Sequence, residues 1–289
     1  MDIPISPADL ITQENGAAYH LGLLPEQVTD IILTVGDPER VSAVSQHFDV
    51  VEEKVAKREF VTHIGRIGHL PLMVISSGMG TDNVEILMNE LDVLVNIDPG
   101  TRTAKSARRS LTIIRLGTSG SLQPDIPLDS LLVSETAFGL DTLMQFYRYE
   151  TPEKLQEAVW GMKERFSLEF TPYGALADNE LLKHFHPLFL PGSTLTCPGF
   201  YAPQGRSIRL LPRQEHLLEA MIDYRFSGNS ITNMEMETAG YYALGRLLSH
   251  RMLSLNAILA HRPSGRFSSN PAKTVNLMIE QALSIISSL

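Results

Sequence analysis

Ile113-Ile114-Arg115-Leu116-Gly117-Thr118-Ser119-Gly120 decides how the chain is read. Its first half is apolar and β-branched, as in a buried strand. Gly-Thr-Ser-Gly then predicts a turn, because these residues tolerate tight backbone and supply hydroxyls. Such a turn leaves backbone N–H groups facing one way, which suits an anion. Arg115 is an always-charged side chain in a strand that otherwise looks buried, and such a charge is costly unless paired. A strand-borne Arg beside an N–H-rich turn points to phosphate or another oxyanion. The competing reading is a structural Arg paired with an internal carboxylate ahead of an ordinary turn. This run alone balances the two.

The flanking sequence repeats the pattern. Asp30 to Gly36 predicts a strand, and Gly36-Asp37-Pro38-Glu39-Arg40 a helix start, with Val41, Val44 and Phe48 on an apolar face. Pro71 to Ser76 is another strand. It ends in Ser77-Gly78-Met79-Gly80-Thr81, and Val84, Leu87, Met88, Leu91, Leu94 and Val95 follow at helical spacing. Lys57 to Thr62 is a charged turn entering a strand, and Asn96 to Arg109 a basic loop. Further on, Asp129 to Thr136 is a strand, Leu140 to Thr151 an exposed excursion, and Pro152 to Phe166 a helix. Thr194 to Cys197 is strand-like and leads into Pro198-Gly199-Phe200-Tyr201-Ala202-Pro203-Gln204-Gly205-Arg206. Two aromatics, an amide and a guanidinium can recognise a flat polar heterocycle; a plain surface loop is the alternative.

Ile231 to Thr238 opens a helix whose buried stripe is Met236, Ala239, Ala243 and Leu247, with Glu235 and Glu237 near its N-terminus. Leu253 to Leu259 is a strand ending at Ala260-His261-Arg262-Pro263, and the last helix carries its apolar face from Val275 to Leu289. Strands alternate with helices without an internal repeat or linker. The expectation is one α/β domain over residues 1–289, with a central twisted, mixed, largely parallel sheet flanked by helices. Ligands in such folds gather at strand carboxyl ends, where Gly36, Gly78, Gly117 and Arg262 fall.

Composition narrows the partners. The 289 residues are 43% hydrophobic with a net charge of −9, which argues against general nucleic-acid or anionic-membrane binding and makes any anion site local. Cys197 is the lone cysteine, so there is no internal disulfide and no cysteine-rich metal site; a buried thiol is expected rather than a nucleophile. No window approaches the ~20 apolar residues of a membrane span, and residues 1–10 lack a basic-then-apolar signal region. A cytoplasmic location is expected. His20, near the terminus, is by itself a surface residue.

Together these corners resemble the nucleoside phosphorylase superfamily and, within it, the uridine phosphorylases. Gly36-Asp37-Pro38-Glu39-Arg40 resembles the Gly-Asp-Pro-x-Arg phosphate corner, and Arg58-Glu59-Phe60 the Arg-Glu-Phe turn. Ser77-Gly78-Met79-Gly80 is similar to the glycine loop, Arg115 to Gly120 to the central phosphate strand, and Asn233 to Glu237 to the ribose segment. The resemblance implies phosphorolysis of a pyrimidine nucleoside, uridine plus phosphate giving uracil and ribose 1-phosphate, in nucleotide salvage. It implies that Gly36, Arg40, Arg115 and Thr118 bind phosphate, with Arg58 reaching a neighbouring subunit's phosphate. It places His20, also across a subunit boundary, with Met236 and Glu237 at the ribose. Arg115, Glu237 and Arg206 would carry the catalytic charge.

Relatives that cleave purine nucleosides use an aspartate at the base, where this chain has Ala260-His261-Arg262-Pro263. The loop resembles the pyrimidine pattern, which implies Phe200, Gln204, Arg206 and Arg262 at the base. His261 stands where a smaller residue is expected, and Tyr19 where relatives often have Phe. No cofactor is implied, phosphate being a co-substrate. The family's interfacial alkali cation uses the Glu of Arg-Glu-Phe and a Ser in the glycine loop. Here Glu59 is present but Asn83 stands near the Ser position, which counts against potassium. Shared sites imply a homodimer or a hexamer of dimers, with residues 1–28 contributing to the subunit interface. The alternatives are a phosphorylase with purine or other base preference, a nucleosidase using water, or a non-catalytic nucleoside-binding protein. Three arginines at the phosphate argue against hydrolysis.

Overall fold

Capped corners between short apolar runs set the order of elements. A computed structural model describes residues 3–288; Leu289, placed above on the last helix, lies outside them. The chain runs through β1 (Ile31–Val35), α1 (Pro38–Ser45), β2 (Val50–Lys57), β3 (Phe60–Ile67), β4 (Leu70–Ser76) and α2 (Thr81–Asn96). It continues through β5 (Thr112–Ser121), β6 (Leu131–Gly139), α3 (Glu153–Arg165), β7 (Tyr173–Leu176), α4 (Asn179–Phe185) and β8 (Leu190–Thr196). The last part holds α5 (Leu217–Asp223), β9 (Arg225–Phe226), β10 (Asn229–Ser230), β11 (Asn233–Glu235), α6 (Thr238–Leu248), β12 (Arg251–His261), β13 (Arg266–Phe267) and α7 (Pro271–Ile286).

The sheet is mixed. β1 lies between β4 and β5, parallel to both, and β3 and β2 extend that side antiparallel. On the other side β5 pairs with β12 in parallel, β12 with β6 antiparallel, β6 with β8 in parallel, and β8 with β11 in parallel. β11 then returns antiparallel to β5. Those five strands form a closed ring, which removes the edges an open sheet would expose. Parallel pairing is confined to the centre and the ring, so the sheet is less parallel than the alternation of elements suggests.

Local chemistry explains the helices. Pro38 opens α1 while the Asp37 side chain accepts from the Glu39 N–H at 2.9 Å. Pro271 and Asn270 do the same for α7. On α2, Val84, Leu87, Met88, Leu91, Leu94 and Val95 are all buried, each worth about 1.5–3 kcal/mol relative to exposure. The basic loop is a set of staples. The Arg102 guanidinium donates to the carbonyls of Ile5, Ser6 and Leu10, and Lys105 donates to Val95 near the end of α2.

Four sequence expectations change. Gly117 to Gly120 is not a turn: β5 continues to Ser121, held by β12 on one side. Segment 231–237 does not open a helix; it holds β11, and α6 starts at Thr238. Met236 therefore lies in a corner off the helical stripe, and Leu247 is exposed rather than buried. The excursion after β6 is partly internal, since Leu140, Asp141 and Met144 are buried. For the first two, pairing with distant strands overrode local turn or helix signals.

Candidate active site

The site opens where β5 changes partners. On one edge β5 pairs with β1 up to Leu116 opposite Val35, and again with β11 from Gly120 opposite Met234. Gly117, Thr118 and Ser119 have no strand partner on that edge. A cavity of about 900 Å³ occupies the break. It lies beyond the carboxyl ends of β1 and β4, the switch-point geometry in which α/β sheets hold ligands.

One wall is buried and ionic. Arg115, 4% exposed, lies 2.5 Å from Glu237 Oε2 and 3.0 Å from Glu235 Oε2. Its other terminal nitrogen sits 3.5 and 3.4 Å from Ser254 and Asn256 on β12. Burial opposes this charge, but Glu235 and Glu237 outweigh it and hold the guanidinium above its ordinary pKa. The structural reading of Arg115 is thus realised, and it coexists with a place on the cavity wall. Gly117 makes room for it: a Cβ there would sit 1.8 Å from an Arg115 guanidinium nitrogen. The glycine is needed for close approach, not for a turn.

Glu235 is the residue that sequence reasoning passed over. It accepts from Thr196 Oγ1 at 2.6 Å and from the N–H groups of Glu237 and Thr238 at the start of α6. Acid at a helix start was the available signal; its tie to Arg115 lies 120 residues away in the chain and shows only in three dimensions. Glu237 accepts from the Gly80 N–H at 2.8 Å through its other oxygen. Gly80 reaches this contact with φ 96°, a conformation that side chains resist. Burial pushes the Glu237 carboxyl up in pKa, Arg115 pulls it down, and Glu235 adds to the rise.

Gly36, Arg40, Thr118 and Met236 also line the cavity. Arg40 donates to the Leu116 carbonyl at 3.3 Å and has no ion-pair partner among the described residues. Burial, followed by the Arg115 charge, lowers its pKa. Arg40 and Arg115 are the cations on this wall, and of the two only Arg115 is ion-paired among the described residues. An anion placed between them relieves the imbalance.

The opposite wall is loop-borne. Phe200, Gln204, Arg206 and Arg262 line it. The Arg206 guanidinium stacks 3.8 Å from the Phe200 ring centroid and donates to the Phe200 carbonyl and to Gln204 Oε1. Arg262 donates to the Gln204 carbonyl at 3.0 Å. Burial, then Arg262, depresses Arg206 to about 10. A β-bulge in β12 between Ile258 and Ala260 turns Leu259 and Ala260 toward the same space. Cys197, just before the loop, is fully buried, and burial pushes its thiol well up, so it is no nucleophile.

His20 and Arg58 are not on this cavity's walls. They sit together elsewhere. The His20 ring meets Tyr19 edge-on at 4.9 Å, and Arg58 lies 5.7 Å from the Tyr19 ring centroid. Arg58 occupies a two-residue hairpin between β2 and β3 with φ 54°, an uncommon conformation for a side-chain-bearing residue. Among the described residues no group of three or more His, Cys, Asp or Glu could hold a metal ion, and no helix is long and apolar enough to cross a membrane.

The family model for the phosphorylase superfamily matches residues 30–288. The chain belongs to that superfamily. It is 28% identical over 274 residues to a uridine phosphorylase of Thermococcus kodakarensis, covering 94% of this chain and 88% of that one. A DeoD-type purine nucleoside phosphorylase of Hahella chejuensis is 24% identical over 279 residues, with 92% and 97% covered. Among solved structures, a Trypanosoma brucei nucleoside phosphorylase described as showing uridine phosphorylase activity superposes with a TM-score of 0.89 at 25% identity, covering 97% of this chain and all of that one. The protein is a nucleoside phosphorylase-type pentosyltransferase, similar to uridine phosphorylases, with the mixed α/β fold of that superfamily.

Proposed function

We propose that the protein cleaves uridine with phosphate to give uracil and ribose 1-phosphate. The observation that carries this is the pair Arg40 and Arg115 facing one cavity, with carboxylates compensating only Arg115. Phosphate between them supplies the missing negative charge and is at once the nucleophile. Gly36 and Thr118 complete its seat, together with Arg58 of the partner subunit. Met236 and Glu237 hold the ribose. Glu237, its carboxylate fixed by Gly80 and Arg115, accepts from sugar hydroxyls and lies against the positive charge that grows on the ring.

The leaving base takes up negative charge at its oxygens. Gln204 offers its amide to one edge of uracil, Arg206 a cation to a carbonyl oxygen, Arg262 a second cation behind it, and Phe200 a face to stack on. No carboxylic acid stands at the end of β12 to protonate a purine, since that corner is Ala260-His261-Arg262. No covalent intermediate is needed; the protein positions and stabilises. No cofactor is required, the enzyme works as a homodimer or a hexamer of dimers, and its place is pyrimidine nucleoside salvage.

The test is release of uracil from uridine with and without phosphate, with inosine and thymidine in parallel. Cleavage should require phosphate and favour uridine. Equal release in phosphate-free buffer overturns the phosphorylase reading, and preference for inosine overturns the base assignment.

A further inference from the structure

Away from the cavity, one carboxylate is committed to a single short segment. Glu90 lies on α2, with its side chain 14% exposed. Its oxygens accept from the backbone N–H of His20 at 3.1 and 3.0 Å and from that of Leu21 at 2.9 Å. The same carboxylate meets His20 Nδ1 at 2.6 Å. Three donors from two consecutive residues thus converge on one acid 70 positions away in the chain. A stability role alone needs only the two backbone contacts. The contact to the ring does something more specific, because a carboxylate in this role accepts. Nδ1 therefore carries the proton, and Nε2 is left as the outward nitrogen. Among the described residues Nε2 has no hydrogen-bond partner, and the His20 side chain is 29% exposed beside Tyr19.

We infer that Glu90 is a positioning residue that fixes the tautomer and orientation of His20, and thereby sets selectivity for nucleosides with a free 5′-hydroxyl. The inference rests on the reading in which His20 serves the ribose of a neighbouring subunit's site. Glu90 touches no substrate. It acts as the carboxylate behind a metal-bound or catalytic imidazole acts, by deciding which nitrogen is presented and where. Without it the ring is free to rotate and to present either tautomer, and the hydroxyl loses a fixed partner.

Glu90→Gln is the discriminating variant. One carboxylate oxygen becomes an NH₂ group facing N–H donors, so either the ring contact or the backbone contacts must break. The primary measurement is the ratio of kcat/KM for uridine to that for 5′-deoxyuridine in wild type, His20→Ala, Glu90→Gln and the double variant. A single hydrogen bond to a neutral hydroxyl is worth up to about tenfold in that ratio. The ratio should fall by that order in His20→Ala, fall comparably in Glu90→Gln, and fall no further in the double variant. A purely structural Glu90 would depress both substrates together and leave the ratio unchanged, which overturns the proposal. If the ratio is already insensitive to His20→Ala, the ribose role of His20 fails first.

A second measurement needs no substrate. Nitrogen-15 NMR of the neutral His20 ring, assigned by its loss in His20→Ala, should report the Nδ1–H tautomer in wild type and a shift toward Nε2–H in Glu90→Gln. An Nε2–H ring in wild type overturns the proposal whatever the enzyme cleaves.

Discussion

The two walls of the cavity are built from different materials. On the wall proposed to take phosphate and ribose, Arg115 and Glu235 project from strands, and Glu237 sits between β11 and α6. All three are buried and bonded to one another, to backbone N–H groups and to Thr196. On the wall proposed to take the base, Phe200, Gln204 and Arg206 ride a loop, and Arg262 a short turn. Phe200 is 51% exposed, and both arginines spend bonds on carbonyls rather than on carboxylates. A buried ion cluster on strands has one arrangement at low cost, since disturbing any member strands the others. A half-exposed loop has several. In the function proposed above, phosphate attack falls to the rigid wall and the choice of base to the adaptable one.

This comparison breaks if the rigid wall proves tolerant. Arg115→Ala leaves Glu235 and Glu237 facing each other, and should cost about 3–5 kcal/mol of stability. Phosphorolysis should fall by about 10²–10³-fold with the phosphate response abolished. Thermal unfolding and a phosphate titration check it; a stable variant with normal phosphate dependence would remove the cluster from the mechanism.

Gly117→Ala comes next. The added methyl overlaps a guanidinium that cannot move without leaving its carboxylates. Activity should drop about 10²-fold, as for a displacement of about 1 Å, at a stability cost of about 1–3 kcal/mol. Activity within twofold of wild type, measured by uracil release, would show that Arg115 has a second acceptable position.

The soft wall should respond differently. Arg206→Ala should lower kcat/KM for uridine by about 10–10²-fold while stability changes by no more than about 0.5 kcal/mol. An equal loss of stability would mean that the loop belongs to the rigid class. Phe200→Ala removes the ring beneath Arg206 and should raise the uridine KM by a few-fold, the scale of an exposed cation–π contact of about 0.5–1 kcal/mol.

The smallest effect concerns a carboxylate that anchors the chain after the β12–β13 hairpin. Asp129 accepts from Ser268 and Thr274, and these two hydroxyls hold its carboxyl below the ordinary value. A depressed carboxyl stabilises the fold above its unfolded-state pKa and loses that contribution as pH falls through the folded one. The stability gap between wild type and Asp129→Asn should be present at neutral pH and close below about pH 4. A gap that persists in acid would assign the effect to packing.

Much of this was legible in the chain. Pro38 with Asp37, the stripe on α2 and the β-branched run before Arg115 each declare their local structure, because caps, periodicity and branching act over a few residues. Arg115 with its N–H-rich run and the loop of Phe200, Gln204 and Arg206 declare an anion and a flat heterocycle by their own chemistry, whereas the roles of Met236, His20 and Arg58 rest on the family resemblance. What misled was local too. Gly-Thr-Ser-Gly has turn chemistry, and Met-Glu-Met-Glu has helix-start chemistry, yet both lie in or beside strands because β12, β8 and β5 offered them ladders.

The sequence by itself determined the class of fold and the residue types that line the cavity, the basis of the proposed phosphate–ribose–base site in an acidic protein. Tertiary structure decided how Arg115 is used. Its carboxylates come from residues more than a hundred positions away, its space comes from a missing Cβ two residues on, and the cavity it faces exists because β5 exchanges β1 for β11. These are relations between distant strands in register, and no short window of sequence contains both members of any of them except Arg115 and Gly117. That pair stood in plain view, and only the fold shows that the glycine is there for the arginine.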